Sequence, residues 1–234
     1  MDLEIIYLDN ELVAVNKPHG MLVHRTRLAN DASIFVLQEL RNIMGKHVFP
    51  IHRLDRKTGG VLLFGLNEDI HREMQLKFAS REIMKKYLAI VRGYTEDQGI
   101  INYPIRKENG LYQEAITNYK TLHRTEINLP FGIHDTSRYS LLEIQPLTGR
   151  KHQIRKHLAH IQHPIIADRP YGCNKQNKLF KERFGLMTMM LHAWRLQFYN
   201  PVSNKITTIV ANIQDEFSRM LTELNFEYTI DLIS

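Results

Sequence analysis

Strand-length apolar runs that follow one another with no helix between them constrain this chain most. KYLAIVR (86–92), residues 115–122 and YSLLEIQ (139–145) come in succession, and residues 190–198 and 205–211 form a second series. Alternation within KYLAIVR sends Tyr87, Ala89 and Val91 to one side and Lys86, Leu88 and Ile90 to the other. A doubly wound α/β fold alternates strand and helix, so this order predicts an α+β fold instead.

The rest of the chain fits around those strands. EIIYL (4–8) and LVAVN (12–16) read as a hairpin turned at Asp9-Asn10 and ended by Lys17-Pro18-His19-Gly20. Helical spacing of Ile34, Leu37 and Leu40 predicts a helix over 32–44, with Asp31 or Ser33 near its cap. Val61–Leu66 reads as a short buried strand, and Asn67 as the cap of a helix in which Ile70, Met74 and Phe78 share a face. A further helix is expected from Thr148 through His160, with Ile154, Leu158 and Ile161 inward, and a last one over 214–224. Residues 124–138 and 169–185 read as long loops. The second carries Arg169, Lys175, Lys178, Lys181 and Arg183 against Glu182, which fits a basic loop over a site or a plain solvated one. Without repeats or a Pro/Ser-rich linker, residues 1–234 are expected to form a single domain.

Several function classes lose their usual signals. There is no GxxxxGK loop, no GxGxxG after a strand and no GxSxG elbow. His152, His157, His160 and His163 invite a metal, but Lys151, Arg155 and Lys156 lie among them and no carboxylate appears before Asp168. No metal and no cofactor are expected. Cys173 sits in a Gly-Cys-Asn loop with no base partner evident in the sequence, and as the single cysteine it excludes an intrachain disulfide. A reducing, cytoplasmic setting is the expectation. MDLEIIYLDNE carries neither a basic nor a long apolar region, so no signal peptide is expected, and no apolar run has the length of a membrane span. The formal net charge of +6 and the pI of about 9.3 suit a polyanionic partner.

Three stretches carry candidate chemistry. In HRLDRKTGG (52–60), Asp55 lies between Arg53 and Arg56. An aspartate beside arginines is a carboxylate at neutral pH, which suits a nucleophile or charge stabiliser and not a general acid; a structural ion pair fits the same residues. In KKYLAIVRG (85–93), Tyr87 can stack on a base and present its hydroxyl, or be an ordinary cross-strand tyrosine. In TGRKHQIRKHLAHIQHPIIAD (148–168), Lys151 and Arg155 are four apart on the expected helix, as are His152 and Lys156. That cationic face can be solvated or can hold phosphates, and Arg155 can reach a buried aspartate.

In this order and spacing the three stretches resemble the RluA family of pseudouridine synthases. NKPHGMLVHR (16–25) upstream and MMLHAWRLQFYNP (189–201) downstream fit as well, so the resemblance covers nearly the whole chain. It implies a mixed, mostly antiparallel, bent β-sheet flanked by helices around a central RNA-binding cleft. It implies that Asp55 attacks the target nucleotide, whose base is detached, turned and rejoined through carbon. Tyr87 would stack on the uracil and take part in the final proton removal, and Arg155 would pair with Asp55. Arg53 would enter the space left by the flipped nucleotide, Leu191 would pack beside the base, and His52, Arg150 and Lys151 would contact substrate. One departure is Thr58-Gly59-Gly60, where the family has Thr-Ser-Gly. The opening residues and the lack of an N-terminal RNA-binding domain imply tRNA as partner, at uridine 65 on the T-stem side of the acceptor arm, with the enzyme a monomer. Three other readings stay open: a synthase for ribosomal RNA uridines, an RNA-binding or RNA-folding module without essential catalysis, and a metal hydrolase built on the histidines.

Overall fold

Residues 3–24 and 34–226 are described by the structure, a computed structural model. In chain order the elements are β1 (Glu4–Leu8), β2 (Leu12–Lys17), α1 (Val36–Met44), β3 (Phe49–Pro50), β4 (Gly59–Gly65), α2 (Glu68–Ala79) and β5 (Met84–Arg92). There follow β6 (Gln98–Asn102), β7 (Ile105–Arg106), β8 (Tyr112–Gln113), β9 (Ile116–Ile127), β10 (Ser137–Pro146) and α3 (Gln153–His160). The chain closes with α4 (Asn174–Phe184), β11 (Leu191–Asn200), β12 (Lys205–Val210) and α5 (Asp215–Glu223). Contacts divide it into two units, Met1–Lys85 with Ala193–Asn212 and Lys86–His192 with Ile213–Ser234.

In the first unit β1, β2, β4 and β11 lie side by side, with β3 added to β4 and β12 to β11. β1–β2, β2–β4 and β11–β12 pair antiparallel, with Leu12 opposite Gly65 and Lys17 opposite Gly60. β2 and β4 are buried along their whole length, which is why their centres, LVAV and VLLF, are continuous apolar runs. Leu12, Ala14, Val61, Leu63, Leu196 and Phe198 form one core face, closed by Ile70 and Met74 of α2. The Asn67 side chain caps α2 by accepting from the Ile70 amide at 3.0 Å, as its sequence position predicts.

In the second unit β5, β10, β9 and β6 lie in that order and pair antiparallel. Tyr87 stands opposite Ile144, and Ser137 opposite Ile127. Gln153 ties the start of α3 to β9 by donating to the Ile116 carbonyl and the Thr117 hydroxyl, each at 2.9 Å. Thr125 of β9 donates to the Leu224 carbonyl at the end of α5 at 2.8 Å. The α+β expectation holds.

Four boundaries differ from the sequence reading. α1 begins at Val36; its cap is Phe35, extended at φ −129° and ψ 139°, and Asp31 and Ser33 lie outside the described residues. The Val36 and Leu37 amides donate to the carbonyls of Leu22 and Val23, so backbone replaces a capping side chain. α3 begins at Gln153, not Thr148, because His152 takes a left-handed conformation (φ 56°) and the Gln153 side chain accepts from both the Thr148 hydroxyl and the Arg150 amide. Lys151 therefore lies in the preceding turn and shares no helical face with Arg155. Residues 124–138 are a loop only at 128–136, since β9 and β10 extend into them. Finally, 169–185 contains α4: Gln176 and Phe180 are buried, and Gly185 ends the helix at φ 66°.

Candidate active site

Asp55 sits half-buried in the loop between β3 and β4. Its carbonyl accepts from the Thr58 amide at 3.0 Å, the closure of a turn whose first position favours Asp. The loop must then enter β4 through Gly60, at φ +107°, where an added Cβ would lie 2.1 Å from the Ala193 carbonyl oxygen. Only glycine fits there.

The loop is stitched to residues 17–21. Gly20 donates to the Arg56 carbonyl at 2.8 Å, Arg56 Nε returns a bond to the Gly20 carbonyl at 3.0 Å, and His19 Nδ1 bonds the Lys57 carbonyl at 2.8 Å. Lys17, the last residue of β2, is fully buried beneath them. Its ammonium donates to the carbonyls of Pro18 (2.9 Å), Met21 (2.8 Å) and Arg56 (3.1 Å). Burial pushes Lys17 down to about 7, and the negative charge of Asp55 opposes that shift. Below that pH the ammonium has three N–H groups for three carbonyls, while the neutral amine has two. The lysine thus holds both segments that fix the Asp55 backbone. The sequence reading used Lys17 only to end a hairpin; its signal was its place just beyond the apolar run LVAV (12–15).

His52 is engaged inside the same unit. Its Nε2 accepts from the Leu63 amide at 3.1 Å and its ring stacks on Phe78 at 4.8 Å. Burial, reinforced by the charge of Lys85, pushes it down to about 3, so it stays a neutral acceptor. Arg53 is exposed, available to a partner in solvent.

In the second unit, Tyr87 is half-buried on β5 and Leu191 is buried at the start of β11. Arg155, on α3, is 8 % exposed and forms a two-pronged ion pair with Asp168, which is 1 % exposed: Nε and Nη2 each donate at 2.8 Å. The Tyr171 ring covers the guanidinium at 5.0 Å, and its hydroxyl bonds His152 Nδ1 at 3.0 Å. The chain around Asp168 is itself braced. Asn177 accepts from the Ala167 amide at 3.0 Å and donates to the Asp168 carbonyl at 2.9 Å, and Ala167 is left-handed at φ 61°. Gly172 approaches so closely that a Cβ would lie 2.2 Å from the Asp168 carbonyl oxygen. A buried cation is thereby fixed in orientation and largely balanced in charge. The sequence reading allowed Arg155 a buried aspartate; Asp168, Tyr171 and Asn177 went unassigned because their partners lie 10 to 19 residues away along the chain.

The cations expected near substrate lie in the turn before α3. Lys151 is exposed and held by Glu108, and half-buried Arg150 donates from Nε to the Glu114 carbonyl at 3.0 Å. The histidines go separate ways. His157 Nε2 bonds the Tyr103 carbonyl at 2.9 Å, His160 stacks on Tyr103 at 3.6 Å, and His163 Nδ1 bonds the Arg92 carbonyl at 2.8 Å. Among the described residues no three His, Cys, Asp or Glu side chains gather as a metal site would require.

The first unit thus holds a braced loop carrying Asp55, and the second holds Tyr87 on a strand and Arg155 in a buried ion pair. Residues 11–160 match the family described as RNA pseudouridylate synthase. The chain belongs to that family: it is an RNA pseudouridine synthase, an isomerase. Among its relatives, tRNA pseudouridine synthase C of Vibrio cholerae serotype O1 is 42% identical, over 97% of this chain and 98% of that protein. The protein of the same name from Haemophilus ducreyi is 41% identical, over 98% of each. Among solved structures, Human RNA Pseudouridylate Synthase Domain Containing 4 shares the fold at a TM-score of 0.76 and 24% identity, covering 96% of this chain and 94% of that one.

Proposed function

We propose that this synthase acts on tRNA, converting uridine 65 on the T-stem side of the acceptor arm to pseudouridine, with Asp55 as its nucleophile. The substrate class is supported by full-length relatives at about 42% identity that are tRNA pseudouridine synthases C. The residue assignment is carried by the Asp55 loop, whose backbone is held by Lys17, His19 and Gly20 while its carboxylate is only half-buried.

In the net reaction the bond from C1′ to N1 breaks and one from C1′ to C5 forms. N1 gains a proton and C5 loses one, with no change of oxidation state, so no cofactor is invoked. Asp55 attacks the target nucleotide and its carboxylate is regenerated at the end. Tyr87 offers its ring to the uracil and takes part in the removal of the C5 proton, which ends in solvent while N1 gains one from it. Arg155, held by Asp168, supplies a cation of fixed orientation, and Leu191 an apolar contact for the base. Arg53 fills the space of the flipped nucleotide, while Arg150 and Lys151 meet phosphates. His52 contributes by fixing the path of the loop. The two units act as one catalytic domain, in keeping with a family match that takes in residues of both.

Tritium release from carbon-5-labelled uridine in a tRNA transcript tests the proposal. Wild type is expected to release one tritium per modified site, and Asp55→Asn none while still binding RNA. Equal release by both refutes the nucleophile; release only from ribosomal RNA fragments refutes the substrate.

A further inference from the structure

The basic segment 169–185 gains a definite geometry from α4. Gln176 and Phe180 face inward: Gln176 donates to the Tyr139 hydroxyl at 3.2 Å, and Phe180 meets the Tyr139 ring edge-on at 5.5 Å. At 100° per residue, Asn174, Asn177, Lys178 and Lys181 then fall together on another face. That face borders a cleft of about 240 Å³, whose lining also includes Arg169 and Ala167. Three cations and two amides line it together with the apolar side chains of Leu186 and Met187, and no carboxylate does. Asp168, between the lining residues Ala167 and Arg169, is committed to Arg155, and Glu182 lies 3.7 Å from Lys178 in an exposed i,i+4 pair, too weak to neutralise the wall.

The cleft is joined to the arginine anchor already described. Asn177 is on the cleft wall, and its side chain also holds the Ala167 amide and the Asp168 carbonyl. Ala167 lines the cleft, and Asp168, the next residue, grips Arg155. Arg169 follows Asp168 directly in the chain, so the cationic wall begins one residue from the partner of Arg155. Phosphodiester oxygens match the charged groups the wall offers: the ammonium groups of Lys178 and Lys181 and the guanidinium of Arg169.

We infer that the cleft bordered by α4 and Arg169 binds the phosphodiester backbone of the RNA strand that flanks the target uridine. This rests on the reading of the protein as a tRNA-modifying enzyme. The cleft sets affinity and register, and the bases pass through it unread.

The test compares wild type, Lys178→Gln/Lys181→Gln, and Lys46→Gln/Lys205→Gln, which removes the same charge from exposed positions of the other unit. Binding of a tRNA transcript and initial rates of tritium release are measured between about 50 and 200 mM salt. Loss of two phosphate contacts should lower the slope of log affinity against log salt by roughly 1.4–1.8 and raise KM on the order of tenfold. The control variant should keep the wild-type slope and KM. Unchanged slope and KM in the cleft variant, or equal losses in the control, would overturn the inference. If wild type releases no tritium from tRNA, the substrate reading fails, and the same salt titration on a ribosomal RNA fragment still decides the cleft. Far-UV circular dichroism of each variant guards against misfolding.

Discussion

Replacing Lys17 with methionine removes a buried cation while leaving a flexible side chain of similar length. Burial holds the Lys17 ammonium at about 7, against 10.5 for a solvated lysine. Between those values the unfolded chain binds about one more proton than the folded chain. Stability therefore rises with pH through the window, by about 1.4 kcal/mol per unit from this group. The contribution is complete above the unfolded value and is lost as pH falls through 7. From about pH 7.5 to 9.5 wild type should gain roughly 2–3 kcal/mol relative to Lys17→Met. The three carbonyls of Pro18, Met21 and Arg56 lose a donor in the variant, which adds a destabilisation that varies little with pH. Urea unfolding followed by Trp194 fluorescence reports this directly, since Trp194 is the sole tryptophan and is buried in the same unit. A difference between the two proteins that stays constant within about 0.5 kcal/mol across the window would refute the reasoning.

Asp168→Ala strips Arg155 of its two-pronged partner. It should cost about 3–5 kcal/mol, seen as a lowered Tm, together with a fall in kcat, whereas Asp168→Asn should recover part of both. An undiminished kcat in Asp168→Ala would show that Arg155 needs no brace. Gly60→Ala meets the Ala193 carbonyl at 2.1 Å from a left-handed backbone, so soluble expression should collapse; a soluble variant with wild-type circular dichroism would contradict the packing. His52, pushed down to about 3, should show no imidazole titration by NMR between about pH 5 and 8, and a midpoint near the ordinary histidine value of ~6.5 would refute the desolvation invoked for this half-buried ring. Its sign matches that of Lys17: the unfolded chain takes up the extra proton as pH falls below ~6.5, so His52 adds to acid lability down to about 3.

Local signals found most of the scaffold. Strand-length apolar runs located β4, β5 and β10, a hairpin turn at Asp9-Asn10 located β1 and β2, and an asparagine before a helical stripe located the start of α2. They failed where bonds formed only on folding set the helix starts. α1 takes its first acceptors from Leu22 and Val23, and α3 starts late because His152 is left-handed and the Gln153 side chain accepts from Thr148 and Arg150. Within α4, the fully buried aromatic Phe180 is outnumbered by charged neighbours, so the segment read as a loop. The short strands β3, β7 and β8, each two residues long, and the five-residue β6 left no periodicity to detect.

The candidate site divides along the same line. The sequence alone determined the family and the residue types, because Asp55, Tyr87 and Arg155 sit in contiguous motifs whose order survives in one dimension. Tertiary structure decided what holds them. A buried lysine under the Asp55 loop, an aspartate gripping Arg155 and a cationic cleft beside it all depend on burial and on partners far along the chain. Desolvation makes those groups consequential, and it exists only once the chain has closed around them.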